Sequence, residues 1–187
     1  MTENKHPRLF DGDTFTHKGY SFRVTFRDDQ DADPPWENED GHGPVSDWTR
    51  RDKSPGERVL CADQRSRRYY DIAEAIKIAK RDGWGCSHSK IEDGKFISGH
   101  KTKGELAACA VEQDYEHLRK WCNNDWCYVG VIVTLLDDDD NPTDETESLW
   151  GIESDSTDYL TSTAYDLADE ILSRIEVENP DVQPSEN

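Results

Sequence analysis

The sequence predicts an α+β fold: an antiparallel sheet of about five strands in the order βββααββα, with helices packed on it. Three observations carry this expectation. "GYSFRVTF" alternates Tyr20, Phe22, Val24 and Phe26 with Ser21, Arg23, Thr25 and Arg27, the period of a strand with one buried face. "WCYVGVIVTLL", Trp126 to Leu136, is the most apolar run and rich in β-branched residues, as a central strand buried on both faces requires. Three further segments repeat apolar residues at helical spacing, two of them behind capping boxes. Runs of strands separated by helices favour an antiparallel sheet with helices layered on it.

The elements follow in order. After the first strand, residues 28–57 carry four prolines and many turn residues and read as a long irregular loop. "RVLCADQRSRRYYD" predicts a hairpin, with strands at Arg58–Ala62 and Arg67–Tyr70 and a turn near Gln64–Ser66. Asp71 with Glu74 forms a capping box, Ile72, Ala75, Ile76 and Ala79 make an apolar stripe, and Gly83 is a stop signal. A loop follows, with a short strand at Lys95–Ile97. Thr102 with Glu105 opens a second helix, whose face of Leu106, Ala110, Val111, Leu118 and Trp121 runs to about Trp121. "ESLWGIES" is the expected partner of the apolar strand. The last helix lies within Thr157–Glu176, on Leu160, Ala164, Leu167, Ala168, Ile171, Leu172 and Ile175. Residues 1–176 thus read as one domain and 177–187 as a flexible acidic tail.

Hydrophobic residues make up 33% of the chain, a low value that six Trp, seven Tyr and five Phe partly offset. The formal charge of −19 is unevenly placed, because Asp137–Asn187 holds 17 acids against one base, Arg174. Such a field repels nucleic acid and anionic membrane and attracts basic proteins. Five cysteines, an odd number, fit a reducing compartment better than a disulfide framework. "MTENKHPRLF" has no apolar signal core, and no stretch approaches a membrane span. The expectation is a cytoplasmic protein.

The stretch "TLLDDDDNPTDETESLW" is the first test for chemistry. An EF-hand loop beginning at Asp137 gains Asp139 and Asn141 as ligands. It then meets Pro142 where a glycine must turn, and Ser148 where a bidentate acid must close the site. Zinc is the second test. Cys86, His88 and His100 offer three ligands, and Cys122 and Cys127 are separated by four residues, but no tight module results. Structural cysteines are the better reading. No G-x-S-x-G elbow, P-loop or G-x-G-x-x-G occurs. No catalytic residue, metal or cofactor is therefore assigned, and a metal-dependent enzyme stays as an alternative.

Two surfaces remain. The first is the acidic third, with Asp137, Asp138, Asp139, Asp140, Asp144, Glu145, Asp155, Asp158, Asp166, Asp169 and Glu170 as candidate contacts for a basic partner. Duplex DNA carries about one charge per 1.7 Å of axis, so −19 matches roughly ten base pairs. The second is the loop "PPWENEDGHGPVSDW", where Trp36, His42 and Trp48 sit among acids, prolines and glycines. Either the tryptophans fold back on the core, or they anchor a partner.

"PWENEDGHGPVSDW", "RYYDIAEAIKIAKRDGWG", "NDWCYVGVIVTLL" and "ESLWGIESDSTDYL" together resemble a group of small acidic accessory proteins encoded by bacteriophages. The resemblance spans roughly Gly19 to Ile175 and transfers no catalytic residue. It implies a protein acting in a bacterial cytoplasm that inhibits a host defence or nucleic-acid-handling complex of CRISPR or restriction type, by DNA mimicry in one version. An inhibitor or assembly protein working through the Trp36–Trp48 loop is the alternative.

Overall fold

The computed structural model describes residues 6–38, 40–85, 90–92, 95–97 and 102–178. The chain divides into two compact units, one of residues 1–32 and 126–187 (unit 1) and one of residues 33–125 (unit 2).

Unit 1 is a four-stranded antiparallel sheet with a helix on one face. Its strands are β1 (Thr14–His17), β2 (Tyr20–Asp28), β7 (Tyr128–Leu136) and β8 (Pro142–Glu153), in the spatial order β1-β2-β7-β8. The expected alternation of β2 holds: Phe22 and Val24 are fully buried, and Val24 faces Val133 across the β2–β7 ladder. Helix α4 (Thr157–Glu178) lays Leu160, Ala164, Leu167, Ala168, Ile171 and Leu172 against Val129, Val131 and Val133. Each of the Leu, Ile and Val side chains contributes about 1.5–3 kcal/mol on burial. β8 begins five residues before the "ESLW" segment and is bulged against β7 near both ends. Gly130 of β7 lies beneath the Trp150 indole, where a Cβ would come within 2.4 Å of the ring. A bare glycine there lets the aromatic cover the strand.

Unit 2 contains α1 (Pro35–Asn38), a hairpin of β3 (Glu57–Asp63) and β4 (Ser66–Asp71), α2 (Ile72–Asp82), β5 (Lys90–Glu92), β6 (Lys95–Ile97) and α3 (Lys103–Cys122). Both capping boxes form: Asp71 accepts from the Glu74 N–H and Thr102 from the Glu105 N–H. Gly83 closes α2 at φ 74°, a left-handed conformation that favours glycine. Leu60, Tyr70, Ala75, Ala79, Ala107, Val111, Tyr115 and Leu118 form the core.

The five-strand sheet is corrected. β3 and β4 pair with each other, apart from the four-stranded sheet, and β5 with β6 forms a second small hairpin. β3 and β4 bury their inward residues on α2 and α3, so they need no place in the larger sheet. β1, at four residues, is too short for its periodicity to register. The irregular loop is also more ordered than expected. It contains α1, and Val45 and Thr49 bridge to Tyr70 and Arg67 on the free edge of β4.

Cys61 and Cys122 are joined in a disulfide with Cα atoms 5.5 Å apart, which corrects the expectation of separate thiols. Their separation of 61 residues matches no motif. Packing of β3 against the end of α3 brings them together. Cys109 and Cys127 are free thiols, and burial pushes the Cys127 thiol up from its ordinary value. Cys86, His88 and His100, and the tail beyond Glu178, lie outside the described residues. Among the described residues no helix is long and apolar enough to cross a membrane.

Candidate interaction surfaces

The charge asymmetry of the sequence maps onto the two units. Unit 1 holds 23 acids and six bases, for −17, whereas unit 2 holds 18 acids and 16 bases, for −2. The field that the sequence reading placed in the last third therefore belongs to one compact body built on β7, β8 and α4.

The four aspartates have distinct duties. Asp137 ends the β7 side of the turn, and its Oδ1 accepts from the backbone N–H of Asp139 at 2.9 Å and of Asn141 at 2.8 Å. These bonds, that from Asn141 first, hold its carboxyl below the usual range. Asp140 takes φ 61°, a left-handed conformation that Asp tolerates better than most residues. Asp137 is thus a turn-former that happens to be acidic, while Asp138, Asp139 and Asp140 present carboxylates to solvent. Among the described residues no group of three His, Cys, Asp or Glu is placed to hold a metal ion.

Two further candidates are already paired. Glu145 of β8 meets Arg174 of α4 at 2.9 Å, and Glu147 binds the same guanidinium. Asp169 receives His17 at 2.6 Å and Lys18 at 2.8 Å from the β1–β2 turn. Asp144, Asp155, Asp158, Asp166 and Glu170 are exposed. Asp158, Asp166 and Glu170 fall at intervals of eight and four residues, so they share one outward row of α4. The only basic residue of that helix is Arg174, which turns to β8.

The second surface, in unit 2, is a built aromatic cluster. The Arg68 guanidinium lies 5.3 Å from the Trp36 ring centre and 5.5 Å from that of Trp48, within cation–π range of both. Trp36 stands edge-on to Trp121 at 5.2 Å. Trp36 is half-buried, while Trp48 keeps 47% of its surface exposed. Folding back and remaining available are therefore divided between the two tryptophans.

His42 has a different role from its neighbours. Its Nδ1 lies 2.5 Å from Asp114 Oδ1, while Asp114 Oδ2 accepts from the Gly43 N–H at 2.8 Å and from the Tyr70 hydroxyl at 2.5 Å. The Asp114 side chain is 8% exposed and that of His42 13%. Burial, reinforced by the bond to Asp114, pushes the Tyr70 hydroxyl up. A Cβ on residue 43 would come within 2.2 Å of the Tyr70 hydroxyl oxygen, so glycine is required for this approach. The network staples the loop to α3. His42 Nε2 is buried without a hydrogen-bond partner.

The loop's far end has its own clamp. Arg51 grips Glu57 through two bonds of 2.7 and 2.6 Å, and the Ser54 N–H adds a third at 2.6 Å. Arg51 first, then Ser54, draw the Glu57 carboxyl down to about 2. A depressed carboxyl stabilises the fold above its unfolded value and loses that contribution as pH falls through the folded one. Unit 2 should therefore lose stability as pH falls from about 4.5 to about 2, and Glu57→Gln should flatten that limb. Superimposable acid-unfolding curves for variant and wild type would show that the clamp contributes nothing.

The sequence pattern does not single out Asp114 or Arg68, and it places Tyr70 and Trp121 only on a strand and on a helix face, without their part in these clusters. Asp114 had a legible signal: it lies three residues after Val111 and four before Leu118, on the buried stripe of α3. An acid on an apolar stripe requires a buried partner. Arg68 had none, because its stacking arises only when the loop folds over β4. No protein-family model, curated protein or solved structure matches this chain.

Proposed function

We propose that this protein is a non-enzymatic acidic binder that occupies a basic nucleic-acid-binding surface of a host complex, of CRISPR or restriction type, and competes there with DNA or RNA. The carrying observation is the concentration of charge: −17 on unit 1 against −2 on unit 2. A merely solubilising surface has no need of such segregation. The resemblance to acidic phage accessory proteins supports a bacterial cytoplasm as the setting.

The charge density sets how far mimicry extends. At 1.5 Å per residue, the 22 residues of α4 span roughly 33 Å, the length of about ten base pairs. Over that length one strand of duplex carries about ten phosphates, whereas α4 carries six acids, Asp158, Asp166, Asp169, Glu170, Glu176 and Glu178. The helix row by itself is more dilute than a phosphate backbone. The Asp137–Asp140 turn and Asp144 add charge to the same unit, so the reading rests on the whole body of unit 1.

Retention of a partner from a bacterial lysate on the immobilised protein should fall steeply as salt rises, because screening weakens exposed charge contacts. A partner held unchanged at high salt contradicts the electrostatic mechanism. The Arg68–Trp48 cluster favours a second reading, docking through unit 2, since Trp and Arg dominate binding hot spots. In that case Trp48→Ala weakens binding and neutralising the unit 1 acids leaves it intact.

A further inference from the structure

The sheet of unit 1 ends at β8, and nothing among the described residues pairs with its outer edge. β8 is also the longest strand, 12 residues against nine in β7. Asp144, Thr146 and the run Ser148–Gly151 are exposed along it. A long strand with a free row of N–H and C=O groups is a template for another strand. Proteins blunt such edges with prolines, bulges or charge. Here Pro142 and an irregularity over residues 143–145 lie at one end of the strand and a second bulge beyond Leu149 at the other, and the regular run of residues 146–149 between them keeps only Glu147 and the neighbouring acids as protection.

That protection is selective. Asp144 lies on one face of β8; on the other, Glu145 and Glu147 share the single guanidinium of Arg174, which leaves that face one net negative charge. A second copy of β8 would set like charges against one another on both faces, which is destabilising. A cationic strand would meet opposite charge on both. Beyond the acids, Leu149 and Trp150 are 43% and 46% exposed and offer apolar contact at one end.

The geometry points to β8 as a strand-addition site for an extended basic segment, with Lys or Arg alternating with apolar or β-branched residues. Main-chain hydrogen bonds to the free edge supply the register, and the carboxylates select for positive charge. This rests on the proposal that the partner is basic. It adds the claim that part of the partner enters as a fifth strand beside β8.

The test uses the full chain with synthetic peptides at low salt. A ten-residue peptide alternating Lys and Val should bind and slow hydrogen exchange at β8 amides by tenfold or more. A copy N-methylated at alternate residues keeps the charge but loses one row of donors, and its affinity should fall at least tenfold. Equal affinity of the two peptides overturns strand addition while leaving a basic partner in place. Absence of binding by both peptides also overturns it; retention of a folded, lysine-rich nucleic-acid-binding protein on the same chain then shows that the broader reading survives. Concentration-dependent dimerisation of the chain with protection at β8 would assign the edge to self-pairing and overturn the basic occupant.

Discussion

Reduction of the Cys61–Cys122 bridge is expected to lower the stability of unit 2 by about 4 kcal/mol. The bond closes a loop of 61 residues between β3 and the end of α3. Cross-linking removes loop-closure freedom from the unfolded chain, and that benefit grows with the logarithm of loop length. The folded contacts around the bond, in the cluster of Leu60, Val111, Tyr115 and Leu118, remain in the dithiol form. The expected outcome is a folded but weakened unit 2. Urea unfolding with and without reductant, followed by hydrogen exchange at α3 amides, reads the difference. A shift under about 1 kcal/mol would mean that the bridge adds little beyond the packing that surrounds it. The result bears on the setting of the protein, since a reducing cytoplasm holds such pairs as thiols.

Asp114→Ala should destabilise unit 2 by about 3–5 kcal/mol. The carboxylate accepts from three donors, His42, Gly43 and Tyr70, in a site where Asp114 itself is 8% exposed. Removing it strands those donors away from water, and each orphaned donor costs about 1–3 kcal/mol. Tyr70→Phe removes one bond and leaves the carboxylate with two donors, so its cost should be about 1 kcal/mol. The ratio of the two effects is the signature of a shared acceptor. Urea midpoints of the variants measure it, and an Asp114→Ala loss as small as that of Tyr70→Phe would show that the network is dispensable.

What the sequence disclosed follows the range of the forces involved. Local signals survived folding. Asp71 and Thr102 cap their helices, Gly83 stops α2, and the alternation from Tyr20 to Phe26 sets the buried face of β2. These depend on neighbours within a few residues. Long-range pairing was not legible. That β2 pairs with β7 more than 100 residues away, while β3 and β4 form a separate hairpin, depends on which apolar faces meet. The acidic third was visible as composition. Its division of labour was not, because Arg174 reaching Glu145 and Glu147, and Lys18 reaching Asp169, are tertiary events. Asp114 is the instructive middle case. The helical period placed it on the buried face of α3, but finding His42 as its partner required the loop to fold back over 72 residues.

The central claim is that the charge of unit 1 competes with nucleic acid for a basic surface. Displacement measures it most directly: a captured host complex carrying labelled duplex is titrated with the protein at low and moderate salt. The wild-type chain should release the duplex at low salt and lose potency as salt rises. The variant Asp144→Asn, Asp166→Asn, Glu170→Gln should be at least tenfold weaker, with unfolding unchanged because these side chains are exposed. Release by that variant at the wild-type concentration, indifferent to salt, would contradict the account.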